Sequence, residues 1–139
     1  MINFKLHHYQ SGTYKNPHFF ILSKGLDTGK PLKEPTHNCF VIELQCTSDC
    51  EDMEAICNCL WKDKYWHRFF IGSIVPYIGI SEFCKYLALK SCELMDDFEE
   101  HKKDVKTLKM LLEKEDKLQE NMNLINDLRR AILHRYCKN

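Results

Sequence analysis

Apolar and polar residues alternate through Ile2, Phe4 and Leu6 in the opening INFKLHHY, the period-two signature of a strand with one covered face. It reads as an edge strand. Ser11, Gly12, Asn16 and Pro17 then break the chain, and HFFILSK is a continuous apolar run that fits a second strand. Gly25 to Pro35 holds enough Gly and Pro to be a loop, and the β-branched and aromatic run Cys39 to Leu44 predicts a third strand.

At Thr47, Ser48 and Asp49 the period changes. These three are candidate N-caps, and Glu51, Asp52 and Glu54 suit the positive end of a helix dipole. Met53, Ile56, Cys57, Leu60 and Trp61 recur at helical spacing, so an amphipathic helix is predicted here. A second short helix is predicted over Asp63 to Phe70, ending at Gly72, and Ser73 to Ile80 reads as a short extended stretch held by Pro76 and Gly79.

From Ser81, a candidate cap, to Cys137 there is neither Gly nor Pro. An unbroken helix of that length would reach roughly 80 Å at ~1.5 Å per residue. Leu94, Phe98, Val105, Leu108 and Leu112 keep a 3 and 4 spacing with His101 on the seam, and Leu118, Met122, Ile125, Ile132 and Tyr136 resume it. Between them, Met110, Leu111, Leu112 and the polar run Glu113 to Lys117 shift the phase. The pattern fits a coiled coil with a stutter, or two antiparallel helices joined near 113–117 or 99–104. The predicted fold is α+β: a small, mainly antiparallel sheet with two short helices as a head over 1–80, then a long C-terminal helix or helical hairpin as a stalk over 81–139, the two forming one compact unit.

Charge adds a band structure to this layout. Twenty basic and twenty acidic side chains cancel overall, so the long-range pull of a basic domain on nucleic acid is missing as a global property. Locally the balance is +3 over 1–40, −5 over 41–60, +3 over 61–92, −4 over 93–120 and +3 over 121–139. No run of about 18 apolar residues exists, and MINFKLHHYQ lacks the features of a signal peptide, so the expectation is a cytoplasmic protein without membrane partners. In that compartment the eight cysteines read mostly as small buried hydrophobes.

Candidate chemistry is sparse. Gly25, Gly29 and Lys30 in KGLDTGKP have three residues between the glycines and Pro31 after the lysine, where a phosphate-cradling loop has four and then Ser or Thr. The segment reads as a structural turn, from which Lys24, Lys30 and Lys33 could still meet phosphates. His37, Cys39, Cys46, Cys50, Cys57 and Cys59 never form paired Cys-x-x-Cys knuckles, so no metal and no cofactor is assigned. Nothing local marks a nucleophilic cysteine beside His37 or His67, and no catalytic residue is assigned. Lys62, Lys64, Tyr65, Trp66, His67, Arg68, Phe69 and Phe70 interleave cations with aromatics, as nucleic-acid surfaces do. On a helix Tyr65 with Phe69, and Trp66 with Phe70, also sit at i and i+4 as a core-facing stripe. Arg129, Arg130, His134 and Arg135 suit a helix C-terminus.

HFFILSKGLDTGKPLKEPTHNCFVI, then Leu60-Trp61, then FIGSIVPYI from Phe70 to Ile78, resembles a family of small uncharacterised proteins from Bacteroidetes genomes and their mobile elements. That resemblance brings no assigned activity. More distantly, Gly72-Ser73 and Pro76-Tyr77-Ile78 followed by a long helix are similar to the later half of target recognition domains in type I restriction-modification specificity subunits. This second resemblance implies that Gly72, Ser73, Pro76 and Ile78 close a DNA-reading domain and that the helices beyond pair as a spacer and dimer contact.

Two expectations follow. One is a non-catalytic DNA-recognition module using Lys24, Lys30, Lys33, Lys62, Lys64 and Arg68. The other is a protein-binding adaptor or homodimer acting through Leu108, Leu112, Leu118, Met122, Ile125 and Ile132.

Overall fold

The three apolar runs near the N-terminus pair as one antiparallel sheet. A computed structural model describes residues 3–95 and 98–137, the side chains of 94–101 aside. Strands β1 (Phe4–His8), β2 (His18–Leu22), β3 (Pro31–Leu32) and β4 (Cys39–Leu44) lie in the order β1-β4-β2-β3. β1 is an edge strand, as the alternation predicts. β3 falls inside the segment expected to be loop, pairing Phe20 with Leu32 and Ile21 with Pro31. A proline is tolerated there because β3 is the other edge, where no ladder N–H is required on its outer side.

The central strands are buried on both faces, and this is why β2 reads as a continuous apolar run. Phe19, Ile21, Phe40, Ile42 and Leu44 face the main core, while Phe20, Cys39 and Val41 face a smaller outer cluster. Tyr9, Tyr14 and Leu32 cover that outer cluster.

Helix α1 (Thr47–Lys62) follows β4 after two residues. Cys46, extended at φ −135°, is its N-cap, and the Cys46 Sγ accepts from the Asp49 N–H at 3.5 Å. Thr47, Ser48 and Asp49, the cap candidates, are therefore already helical, because the strand leads directly into the first turn. α1 buries Met53, Ile56 and Cys57. The second short helix is a 3-10 turn, Tyr65–Phe69, entered through Lys64 at φ +58°. Chain reversal there leaves no room for the longer helix expected over 63–70.

Residues 71–77 close on themselves, with Ile71 N–H donating to the Tyr77 carbonyl and Tyr77 N–H to the Ile71 carbonyl, both at 2.9 Å. Gly72 turns this corner at φ +92°, where a Cβ would stand 2.8 Å from the Val75 carbonyl oxygen. Helix α2 (Ile80–Met95) begins next, and the Gly79 carbonyl accepts from Phe83 N–H at 3.0 Å, so Ser81 lies within the helix instead of capping it.

α2 packs into the head. Phe83 and Leu87 are fully buried, and the Phe83 ring lies 4.3 Å from that of Trp66. Helix α3 runs from Phe98 to Tyr136, about 58 Å at ~1.5 Å per residue, and passes through Glu113–Lys117 without a break. The hairpin joint expected near 113–117 is thus overturned: a polar run with no Gly or Pro has no reason to end a helix. The side chains of Leu94, Phe98 and His101, expected on the seam, and residue Ile2 lie outside the described residues. No described helix is long and apolar enough to cross a membrane.

Candidate interaction surface

The phase shift near Glu113 has a structural meaning. At ~100° per residue, Leu112 and Leu118 lie about 120° apart around the helix. The apolar stripe therefore changes sides. Before the shift it faces the head: Val105 is 3 % exposed, Leu108 and Leu112 are half-buried, and Leu112 lines a cleft of about 370 Å³ with Ala55 and Asn58 of α1. Lys109 Nζ to Asp52 Oδ1 at 2.5 Å, and an ion pair between Lys62 and Glu115, fasten this half of α3 to α1. Both pairs are solvent-accessible and contribute only ~0–1 kcal/mol each.

Beyond Glu115 every described residue of α3 is exposed except the half-buried Asn126. Among them Leu118 is 64 % exposed, Ile125 56 % and Ile132 52 %, with Met122, Leu128 and Tyr136 on the same side and Leu111 continuing the stripe toward the head. Single exposed apolar side chains need no explanation, but a stripe along roughly seven turns, interrupted only at Glu115 and Arg129, does.

Of the six oligomerisation residues read from the sequence, Leu118, Met122, Ile125 and Ile132 lie on this free stripe, while Leu108 and Leu112 are used toward the head. Leu111, Leu128 and Tyr136 complete the stripe. The signal for Leu111 and Tyr136 was the spacing of 7, 4, 3, 4, 3 and 4 residues that links Leu111, Leu118, Met122, Ile125, the position at 129, Ile132 and Tyr136 once the helix is known to be unbroken.

Of the six cations of the DNA reading, Lys30, Lys62 and Lys64 gather around Trp61, while Lys24 and Arg68 line other clefts. Lys30 stands over the Trp61 ring at 5.1 Å and Arg68 over Tyr65 at 4.7 Å, while Lys62 is paired with Glu115. Lys62 and Lys64 share a cleft with His67 and Trp61, but Asp27 and Glu115 line it too. Lys24 lines a separate cleft with His8, His37 and Tyr77, Arg68 another with Asp63 and Glu93, and Lys33 is simply exposed. The aromatic stripe faces the core, as its i and i+4 spacing suggested: Trp66 is buried, and Tyr65, Phe69 and Phe70 pack against the core.

Sequence reading overlooked a cluster on the outer sheet face. His7 Nε2 lies 3.0 Å from Glu43 Oε2, and the Tyr14 ring sits 5.7 Å from His7 and 5.2 Å from His18. Tyr14 is held over the sheet by its hydroxyl, which donates to the Gln10 carbonyl at 2.9 Å. Strand alternation alone puts His7 with Tyr9, and His18 with Phe20, on one face.

A family of unknown function, DUF6943, matches residues 6–135, from β1 to the last turn of α3. The chain belongs to that family. No curated protein and no solved structure matches it. The span matters for the DUF6943 unit: it takes in the free half of α3 as well as the head.

Thiol chemistry is damped by burial. Desolvation first and the nearby Glu54 carboxylate second push the Cys57 thiol well above its ordinary value of 9.0, and burial likewise raises Cys50 and Cys59. Among the described residues no group of three His, Cys, Asp or Glu is placed to hold a metal ion. Alkylation in native buffer should modify the exposed Cys46 and Cys137 first and Cys57 only on unfolding. Because the folded-state pKa values lie above the unfolded ones, these thiols contribute stability that is intact below about pH 9 and declines above it, as the unfolded thiols ionise first. Mass mapping after a short iodoacetamide pulse, and urea midpoints from pH 7 to 10, check both statements.

Proposed function

We propose that this protein is a non-catalytic association module: a compact head that anchors a projecting helix, with the free apolar stripe of α3 as its working surface and another copy of the chain as its partner. The observation that carries the reading is the exposure of Leu118, Met122, Ile125 and Ile132 along a helix that is anchored at its other half. Pairing two such stripes removes on the order of 1,000 Å² of surface from water, the size at which a specific interface holds. Apolar seams of this kind bring two helices together without needing a charge on either.

The DNA-recognition reading has less support, since Lys30, Lys62 and Arg68 are engaged by Trp61, Glu115 and Tyr65 and acidic side chains share their clefts. A salt-sensitive shift of labelled duplex at low ionic strength would restore it.

Light scattering provides the test. The chain is 16.6 kDa, and a mass near twice that, unchanged in high salt, is expected. Ile125→Lys should weaken association at least ~100-fold, about 2.7 kcal/mol, by setting an ammonium in the seam. A monomer at ~100 µM in the unaltered protein would sink the reading.

A further inference from the structure

The free stripe carries two charges, Glu115 and Arg129, and they select a direction. Positions 111, 118, 122, 125, 129, 132 and 136 are spaced 7, 4, 3, 4, 3 and 4 residues apart, the a and d spacing of a two-helix seam. Six are apolar and the seventh is Arg129; the a/d position passed over between 111 and 118 is Glu115, which pairs with Lys62 of its own copy. In a parallel pair in register, a positions face a positions, so Arg129 would face Arg129 of the second copy inside a seam that excludes water. Like charges opposed there are strongly unfavourable.

In an antiparallel pair, a faces d. One register uses the whole stripe: Met122 opposite Ile125, Leu118 opposite Arg129, Glu115 opposite Ile132, and Leu111 opposite Tyr136. The Arg129 stem then lies on Leu118 of the second copy, and its guanidinium can reach outward past it, one helical turn from Glu115 of that copy.

Flanking charge favours the same direction. Over 113–120, Glu113, Glu115, Asp116 and Glu120 outweigh Lys114 and Lys117 for a net −2, and over 127–136, Arg129, Arg130 and Arg135 outweigh Asp127 for a net +2. The antiparallel register lays the acidic segment of one copy beside the basic segment of the other, whereas a parallel pair stacks like on like. Helix axes in contact are ~8–10 Å apart, about one Debye length at physiological salt, so this preference is only partly screened.

We infer that the α3 helices of two copies pair antiparallel over residues 111–136, with Met122 of one opposite Ile125 of the other. The pair then holds two heads at opposite ends of a rod, roughly 45 Å apart along its axis at ~1.5 Å per residue. Such a dimer is a bivalent spacer, presenting the same head surface twice at a fixed separation. The inference rests on the self-association proposed above.

Disulfide trapping distinguishes the two claims. In a background with Cys46→Ser and Cys137→Ser, which removes the exposed thiols, Leu111→Cys and Tyr136→Cys chains are prepared separately, mixed to exchange partners, and oxidised with copper phenanthroline. An antiparallel pair gives a linked dimer only in the mixture, at least ~10-fold above either chain alone, because like positions stand roughly 40 Å apart at ~1.5 Å per residue. Linked dimers from each chain alone mean a parallel pair and overturn the inference while leaving self-association standing. Linkage of Tyr136→Cys to Leu118→Cys in place of Leu111→Cys overturns the register. A monomer by light scattering before oxidation overturns both this inference and the reading beneath it.

Discussion

Gly29→Ala should lower the thermal midpoint of the head by roughly 10–20 °C, the largest effect expected of any single added methyl group in this chain. Two costs fall on the same atom. Gly29 has φ +97°, where a side chain strains the backbone by about 1–3 kcal/mol. Its added Cβ would also stand 2.4 Å from Cδ1 and 3.1 Å from Cγ of Trp66. Neither neighbour can yield cheaply. Trp66 is 1 % exposed and packed between Tyr65, Phe69 and Phe83, so moving the indole disturbs the main core for another ~1–3 kcal/mol. The backbone cannot move either, because Gly29 N–H donates to the Leu22 carbonyl at 2.7 Å and the turn is closed by the Thr28 hydroxyl donating to the Gly25 carbonyl at 2.6 Å. Together these costs approach ~3–5 kcal/mol, a large share of the stability of an ordinary domain. Gly79→Ala is the control: its Cβ meets nothing within 4 Å, and the midpoint should stay within about 2 °C. A Gly29→Ala midpoint equal to that of the control would mean that the Trp66 contact is looser than the geometry requires.

That turn illustrates what the sequence could and could not convey. KGLDTGKP was legible as a structural turn, because the spacing between its glycines is wrong for a phosphate loop. Which glycine is indispensable was not legible, since the indole that crowds Gly29 comes from position 66, thirty-seven residues away. The sheet followed the same logic. Runs at Phe4–His8, His18–Leu22 and Cys39–Leu44 were readable from alternation and β-branching, whereas Pro31–Leu32 was not, because a two-residue edge strand has no periodicity of its own.

The long helix tells most about the candidate surface. Its apolar positions were visible, and so was the shift in their phase, but a shift has two physical sources: a break in the helix, or a change in which side has a neighbour. Sequence periodicity cannot separate these. The structure separates them through Val105 and Leu112, which face the head, and Leu118 and Ile125, which do not. The basic residues were legible as a set, but their neighbours were not. Lys30 lies over Trp61 and Lys62 pairs with Glu115, partners 31 and 53 residues away that no local pattern announces.

The same division of labour along the helical region predicts opposite outcomes for two substitutions that look alike in sequence. Phe83→Ala, in α2, should destabilise the protein by about 3–5 kcal/mol, since the ring is fully buried between Phe40 at 5.7 Å and Trp66 at 4.3 Å and its removal leaves a cavity that rigid neighbours cannot fill. A chain ending at Lys117, which lacks the whole free stripe from Leu118 onward, should unfold in urea within ~0.5 kcal/mol of the full chain when both are monomeric, because the anchoring contacts at Val105, Lys109 and Leu112 all remain. Measured at concentrations that favour dimers, the full chain gains stability with concentration and the shortened one does not, since mass action stabilises only the form that pairs. Equal concentration dependence in the two chains would place the association surface on the head. A shortened chain that is unfolded would mean that residues beyond 117 support the head through contacts that their exposure does not reveal.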